Sequence, residues 1–132
     1  MKKILLIWTL ILLSTPVLAE WTTIGEYKND NEDSYTVYAD LTSIRKARDR
    51  VKMWILFDYK TEQKASGTNF LSKKIRRDYD CKEARIRRLA FSLFSWNMEK
   101  GELLRAYNQP QNWKRVVPGT IDETEWKVAC DK

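Results

Sequence analysis

The sequence contains no histidine, which removes Ser-His-Asp and Cys-His nucleophilic machinery and the commonest transition-metal ligand. Its two cysteines, Cys81 and Cys130, are too few for a four-thiolate zinc site and too far apart for a CxxC redox pair. Glycine and proline are sparse, four and three in 132 residues. No glycine-rich phosphate cradle, HExxH helix or EF-hand loop is present. No Pro/Gly/Ser-rich linker, repeat or low-complexity tract divides the chain. Paired carboxylates do occur, as in Asp78 and Asp80, but both have arginines available across a hairpin. Ser72 and Lys73 are neighbours that point to opposite sides of a strand, so a serine-lysine pair is disfavoured. An enzyme is therefore not expected, and neither is a cofactor or a metal.

Long apolar runs are also missing, apart from one near the start. MKKILLIWTLILLSTPVLAE carries two lysines, an apolar stretch from Ile4 to Leu13, and Val17 and Ala19 placed for signal peptidase before Glu20. The run is about half of the roughly 20 residues a bilayer requires, so residues 1–19 read as a secretory leader and 20–132 as one exported domain. No cysteine follows the expected cleavage point, which leaves no place for a lipoprotein acyl chain. Both cysteines fall in the exported part, where an oxidising compartment permits a disulfide and two thiols allow one intramolecular pairing.

Charge is uneven along the chain. The 24 Lys and Arg against 18 Asp and Glu give +6 overall. Between Ser72 and Arg88 eight cations face three anions. A cationic patch of this kind concentrates acidic ligands, whether lipid phosphate, sulfated polysaccharide, an acidic protein or nucleic acid; the bland alternative is a solvated strand. Nucleic acid is least expected, given export and no RRM-type aromatic signature.

Short segments rich in Val, Ile, Tyr, Phe and Trp, divided by polar turns, predict an antiparallel sheet of about six strands. WTTIGEY opens it, and SYTVYAD follows, ending near Asp40. RVKMWILFDYK is the clearest strand, with Val51, Met53, Ile55, Phe57 and Tyr59 on one face and Trp54 and Leu56 on the other, as a central strand requires. TEQKASGTN reads as a loop. FLSKKIRRDYDC then alternates Leu71, Lys73, Ile75, Arg77, Tyr79 and Cys81 against Ser72, Lys74, Arg76, Asp78 and Asp80. The next strand, Arg85 to Ser95, places Leu89, Phe91 and Leu93 together, and ELLRAY is the sixth. Thr120 with Glu123 is a capping-box pattern that predicts a helix from Ile121 to Cys130. Ten residues are too few to hold as an isolated helix, so this one must dock, with Trp126 and Cys130 on the docking face and Cys81 as its anchor beside the strand that follows.

One register of the hairpin through Cys81 to Ala84 sets Asp80 opposite Arg85 and Asp78 opposite Arg87. That leaves Lys73, Lys74, Arg76, Arg77 and Arg88 as candidate ligand-binding cations, in two sets on opposite faces, Lys73 with Arg77 and Lys74 with Arg76. Of the tryptophans, Trp54 and Trp126 read as packing residues, whereas Trp96, in SWNMEKG at a predicted turn, is the candidate exposed contact.

The order of landmarks is itself informative: Trp21, VYAD, VKMWILFDYK, DC, RIRRLAFSLFS, MEKG, Trp113, VPG and a terminal EWKVAC. It resembles the surface-adhesin protein E family of Gram-negative envelope proteins across the exported part of the chain. The resemblance implies an antiparallel sheet with a C-terminal helix tied to it through Cys81 and Cys130. It also implies a non-enzymatic protein of the periplasm or cell surface that binds host extracellular-matrix or serum proteins and forms homodimers. The alternative is a soluble periplasmic protein whose basic hairpin engages anionic envelope components. Two positions depart from the family: there is no lipobox cysteine, and Leu41 stands where the family often has proline.

Overall fold

A computed structural model describes residues 19–131. All of the expected leader except Ala19 lies outside them. The chain forms a meander of six antiparallel strands in sequence order: β1 (Trp21–Lys28), β2 (Ser34–Ala47), β3 (Arg50–Ala65), β4 (Thr68–Asp80), β5 (Arg85–Phe94) and β6 (Leu103–Tyr107). A two-residue strand, β7 (Lys114–Arg115), pairs with the first residues of β5, beyond the stretch that β6 covers, and α1 (Ile121–Cys130) closes the fold. No helix among the described residues is long and apolar enough to cross a membrane.

Strand alternation sorts the side chains as the sequence predicts. Val51, Met53, Ile55, Phe57 and Tyr59 are buried on the face that carries α1, and Ile55 stands opposite Ile75 while Val51 stands opposite Tyr79. Val37 and Ala39 from β2, and Ile86 and Leu93 from β5, complete this core. On the open face a row runs from Trp21 through Asp40, Trp54 and Arg76 to Ala90.

Three expectations about the strands need correction. The first concerns TEQKASGTN, which is not a loop: β3 runs on to Ala65 and β4 begins at Thr68. The reversal needs only Ser66 and Gly67, both at positive φ (48° and 81°), the conformation of a tight two-residue hairpin turn. Polar composition signalled a loop where the strands simply extend past the core into solvent. The second is the end of β2, which continues beyond Asp40 to Ala47 through an irregularity between Asp40 and Arg45. The Asp40 carboxylate accepts hydrogen bonds from the Thr42 amide (3.1 Å) and hydroxyl (2.6 Å), which holds that interruption. The third is β5, where a register shift inserts Leu89 as an extra residue. Phe91 and Leu93 remain on the helix side opposite Ile75 and Lys73, but Arg88 and Ile86 join them opposite Arg77 and Tyr79, and Leu89 does not.

The helix has the predicted bounds with different capping. Thr120 occupies the N-cap without a side-chain cap bond; its hydroxyl donates to the Val117 carbonyl, while the Glu123 carboxylate accepts from the Gly119 amide. The Cys81–Cys130 disulfide anchors the last turn, with Cα atoms 5.7 Å apart. The Trp126 indole donates to the Asp80 carbonyl (3.0 Å), and Tyr27 donates to Thr124 (3.2 Å). The helix lies against β1 to β4 rather than beside β5, as was expected from the position of Cys81. The disulfide is at the end of β4, so the helix is free to run back over the earlier strands. The β5–β6 half of the same face is left without a helix above it.

Candidate binding site

Register dictates what occupies that uncovered half. One row carries Val37, Phe57, Lys73, Leu93 and Arg105; the next carries Ala39, Ile55, Ile75, Phe91 and Tyr107. Arg77 and Arg88 face each other one step further along. Aromatic rings and cations therefore interleave. Phe91 and Tyr107 stack with centroids 4.9 Å apart, the Arg88 guanidinium lies 4.3 Å from the Phe91 ring, and the Lys73 ammonium 5.5 Å from Phe57. A hollow of about 270 Å³ opens above Phe91, Leu93 and Tyr107, flanked by Arg88 and Arg105 and by Ala65 and Ser66 of the β3–β4 turn.

One acid answers these cations from the helix. Glu125 is fully buried, and one of its carboxylate oxygens accepts from Arg77 Nε and from the Tyr79 hydroxyl, each at 3.0 Å. Burial pushes the Glu125 carboxyl above its usual range, with Arg77 opposing that rise. Lys73 has no such partner among the described residues. Burial, reinforced by Arg77 and Arg88, pushes it down to about 8. Arg88 is lowered as well, by burial and then by Arg77.

The other predicted set lies on the open face. Lys74 pairs with Glu99 (2.7 Å) over the Trp54 ring, and Arg76 stands beside it opposite Trp54 and makes no ion pair among the described residues. Trp96 is 65% exposed, and its loop is pinned across the strands by bonds from Ser72 to the Trp96 carbonyl and from the Met98 amide to Asp58. The hairpin acids pair as the register requires: Asp80 with Arg85 (2.7 Å) and Asp78 with Arg87 (3.0 Å). Asp78 also holds Arg50 (2.8 Å). The structure thus brings Lys73, Arg77 and Arg88 together, and keeps Lys74, Arg76 and Trp96 on the other side of the sheet.

Sequence reading missed two features. Arg105 and Tyr107 belong to the site only because β6 pairs with β5, which no local pattern announces. Trp113 is the hub of an arginine cluster, with Arg50, Arg85 and Arg87 at 5.1, 5.0 and 4.6 Å from its ring. Its one sequence signal was position in a polar stretch otherwise lacking large apolar residues. What such a surface can do is recognise: cations select negative charge, and rings select flat or apolar groups. No cluster of three His, Cys, Asp or Glu suited to a metal occurs among the described residues.

The surface-adhesin protein E family model matches residues 21–131. Two solved structures of Haemophilus influenzae protein E are similar in fold. The first, from a second crystal form, has a TM-score of 0.65 at 14% identity, covering 90% of this chain and 94% of that one. The other has a TM-score of 0.63 at 14% identity, covering 90% and 91%. At that identity the structural likeness speaks for the fold alone. No curated protein sequence matches.

Proposed function

This chain belongs to the surface-adhesin protein E family, and from that premise we propose that it is an exported, non-enzymatic binding protein that engages host extracellular-matrix or serum proteins. The observation that carries this reading is the extent of the family match, which takes in every strand and the helix. The open face supports it. Trp96 projects from a loop fixed to the sheet at Ser72, Asp58 and, through Glu99, at Lys74. Tryptophan is among the residue types enriched at binding hot spots, and this one is exposed and rigidly mounted. The leader, removed before Glu20, delivers the domain to the periplasm or cell surface, where two copies associate.

Binding of the exported protein to immobilised basement-membrane matrix and to immobilised serum proteins tests this, together with protease shaving of intact cells. Trp96→Ala should weaken capture about tenfold, a hot-spot loss of about 1.4 kcal/mol, with an unchanged unfolding midpoint. Failure of the protein to bind either surface, or protection from protease on intact cells but not in a periplasmic extract, would overturn host binding.

A further inference from the structure

We propose that the notch where the chain crosses the edge of β5, ringed by Arg77, Arg87, Arg88, Gln111, Asn112 and Lys114, binds a phosphate monoester whose organic group rests on the Phe91–Tyr107 stack. This goes beyond the adhesive reading, which uses the open face around Trp96 and needs none of these residues.

The notch arises from a count mismatch along the β5 edge. The Gln111 amide donates to the Arg88 carbonyl, and Lys114 pairs with Ile86, so Asn112 and Trp113 together oppose the single Arg87. Trp113 packs against Arg50, Arg85 and Arg87. That contact fixes the detour and leaves a hollow of about 300 Å³ lined by four cations and two amides. Every lining residue can donate a hydrogen bond, and among the described residues no acid lines the hollow.

Charge selects the ligand class. Arg77 is answered by Glu125, Lys114 by Asp122, and Arg87 shares Asp78 with Arg50. Among the described residues Arg88 meets no carboxylate, and its buried Nε has no hydrogen-bond partner. Five cations thus meet three acids, a surplus of two. A carboxylate would cancel half of that surplus. A phosphate monoester, carrying about −1.5 to −2 at neutral pH and three acceptor oxygens, matches it. Guanidinium groups suit this role because their planar donor forks match phosphate oxygens.

The second half of the ligand follows from adjacency. Arg88 and Gln111 line both this notch and the hollow above Phe91, Leu93 and Tyr107. An oxyanion held beside Arg88 therefore has its ester substituent directed along the Arg88 side chain onto the stacked rings. An apolar or aromatic group there rests against Phe91, Leu93 and Tyr107.

Phenyl phosphate is the probe, titrated at neutral pH into nitrogen-15-labelled protein recovered from cells expressing the full chain. Amide resonances of Arg88, Gln111, Asn112 and Lys114 should shift saturably, and inorganic phosphate should bind at least fivefold more weakly. Arg88→Gln should weaken phenyl phosphate about tenfold, whereas Arg76→Gln, on the opposite face, should leave affinity unchanged. Lys114→Gln, at an exposed position, gives a second reading that does not depend on Arg88→Gln folding. Co-sedimentation with phosphatidylcholine vesicles containing phosphatidic acid would assign the monoester to a lipid; titration without sedimentation would assign it to a soluble ester. Absence of saturable shifts at these amides, equal weakening by Arg76→Gln, or equal affinity for inorganic phosphate would overturn the proposal.

Discussion

Replacing Lys73 by methionine should stabilise the protein. Lys73 sits on the helix side between Phe57 and Leu93, its ammonium near the Phe57 ring and without an ion pair among the described residues. Burial, then Arg77 and Arg88, lowers its pKa from 10.5 to about 8. A depressed folded pKa contributes stability that is complete above the unfolded value of 10.5 and lost as pH falls through about 8. At pH 7 both states are charged, and the difference of two to three units corresponds to a cost of about 3 kcal/mol. Water reaching the partly exposed ammonium trims this to about 2 kcal/mol. Methionine keeps the unbranched apolar stem over Phe57 and removes the charge. Urea unfolding at pH 7 should therefore give Lys73→Met the higher midpoint by that amount. At about pH 9.5 the native lysine is already neutral while the unfolded one is not, so the gap should shrink to about 1 kcal/mol. The shifted tyrosines are common to both proteins and cancel. A variant no more stable than the parent at pH 7, or a gap that does not change with pH, would refute the reasoning.

Two further outcomes concern the helix. The double replacement of Cys81 and Cys130 by alanine releases a loop of 49 residues and should cost about 4 kcal/mol in urea; a loss under about 1 kcal/mol would show that packing alone holds the helix. Glu125→Gln retains an acceptor for the Tyr79 hydroxyl and removes a carboxylate whose charged form burial disfavours, so at pH 7 it should be at least as stable in urea as the parent. Because burial raises the Glu125 pKa, its protonated form is favoured in the fold, and the gap to Glu125→Gln should narrow as pH falls through that raised value. A gap that widens in acid would contradict the assignment.

The sequence by itself determined the features that depend on short-range order. Period-two alternation in Val51 to Tyr59 and in Leu71 to Cys81 assigned each residue to a face, because a strand side chain has only two directions to take. The hairpin acids pointed to one permitted register, Asp80 with Arg85 and Asp78 with Arg87, and the fold adopts it; one residue of slip would exchange the faces. Two exported cysteines left a single pairing, and Thr120 through Cys130 carried its own start signal and length. The landmarks were also enough to reach the family. Tertiary structure decided what those faces meet. The predicted free cations of the helix face became a buried Arg77–Glu125 pair, a half-buried Lys73 and an unanswered Arg88, because the helix settles over β1 to β4 and stops short of β5. No local pattern encodes where a docked helix ends its cover. The extra residue at Leu89 moved Arg88 onto that same face, and the detour at Asn112 and Trp113 placed Lys114 beside it. Both are single-residue count mismatches between strands, and a mismatch exists only once two segments are paired.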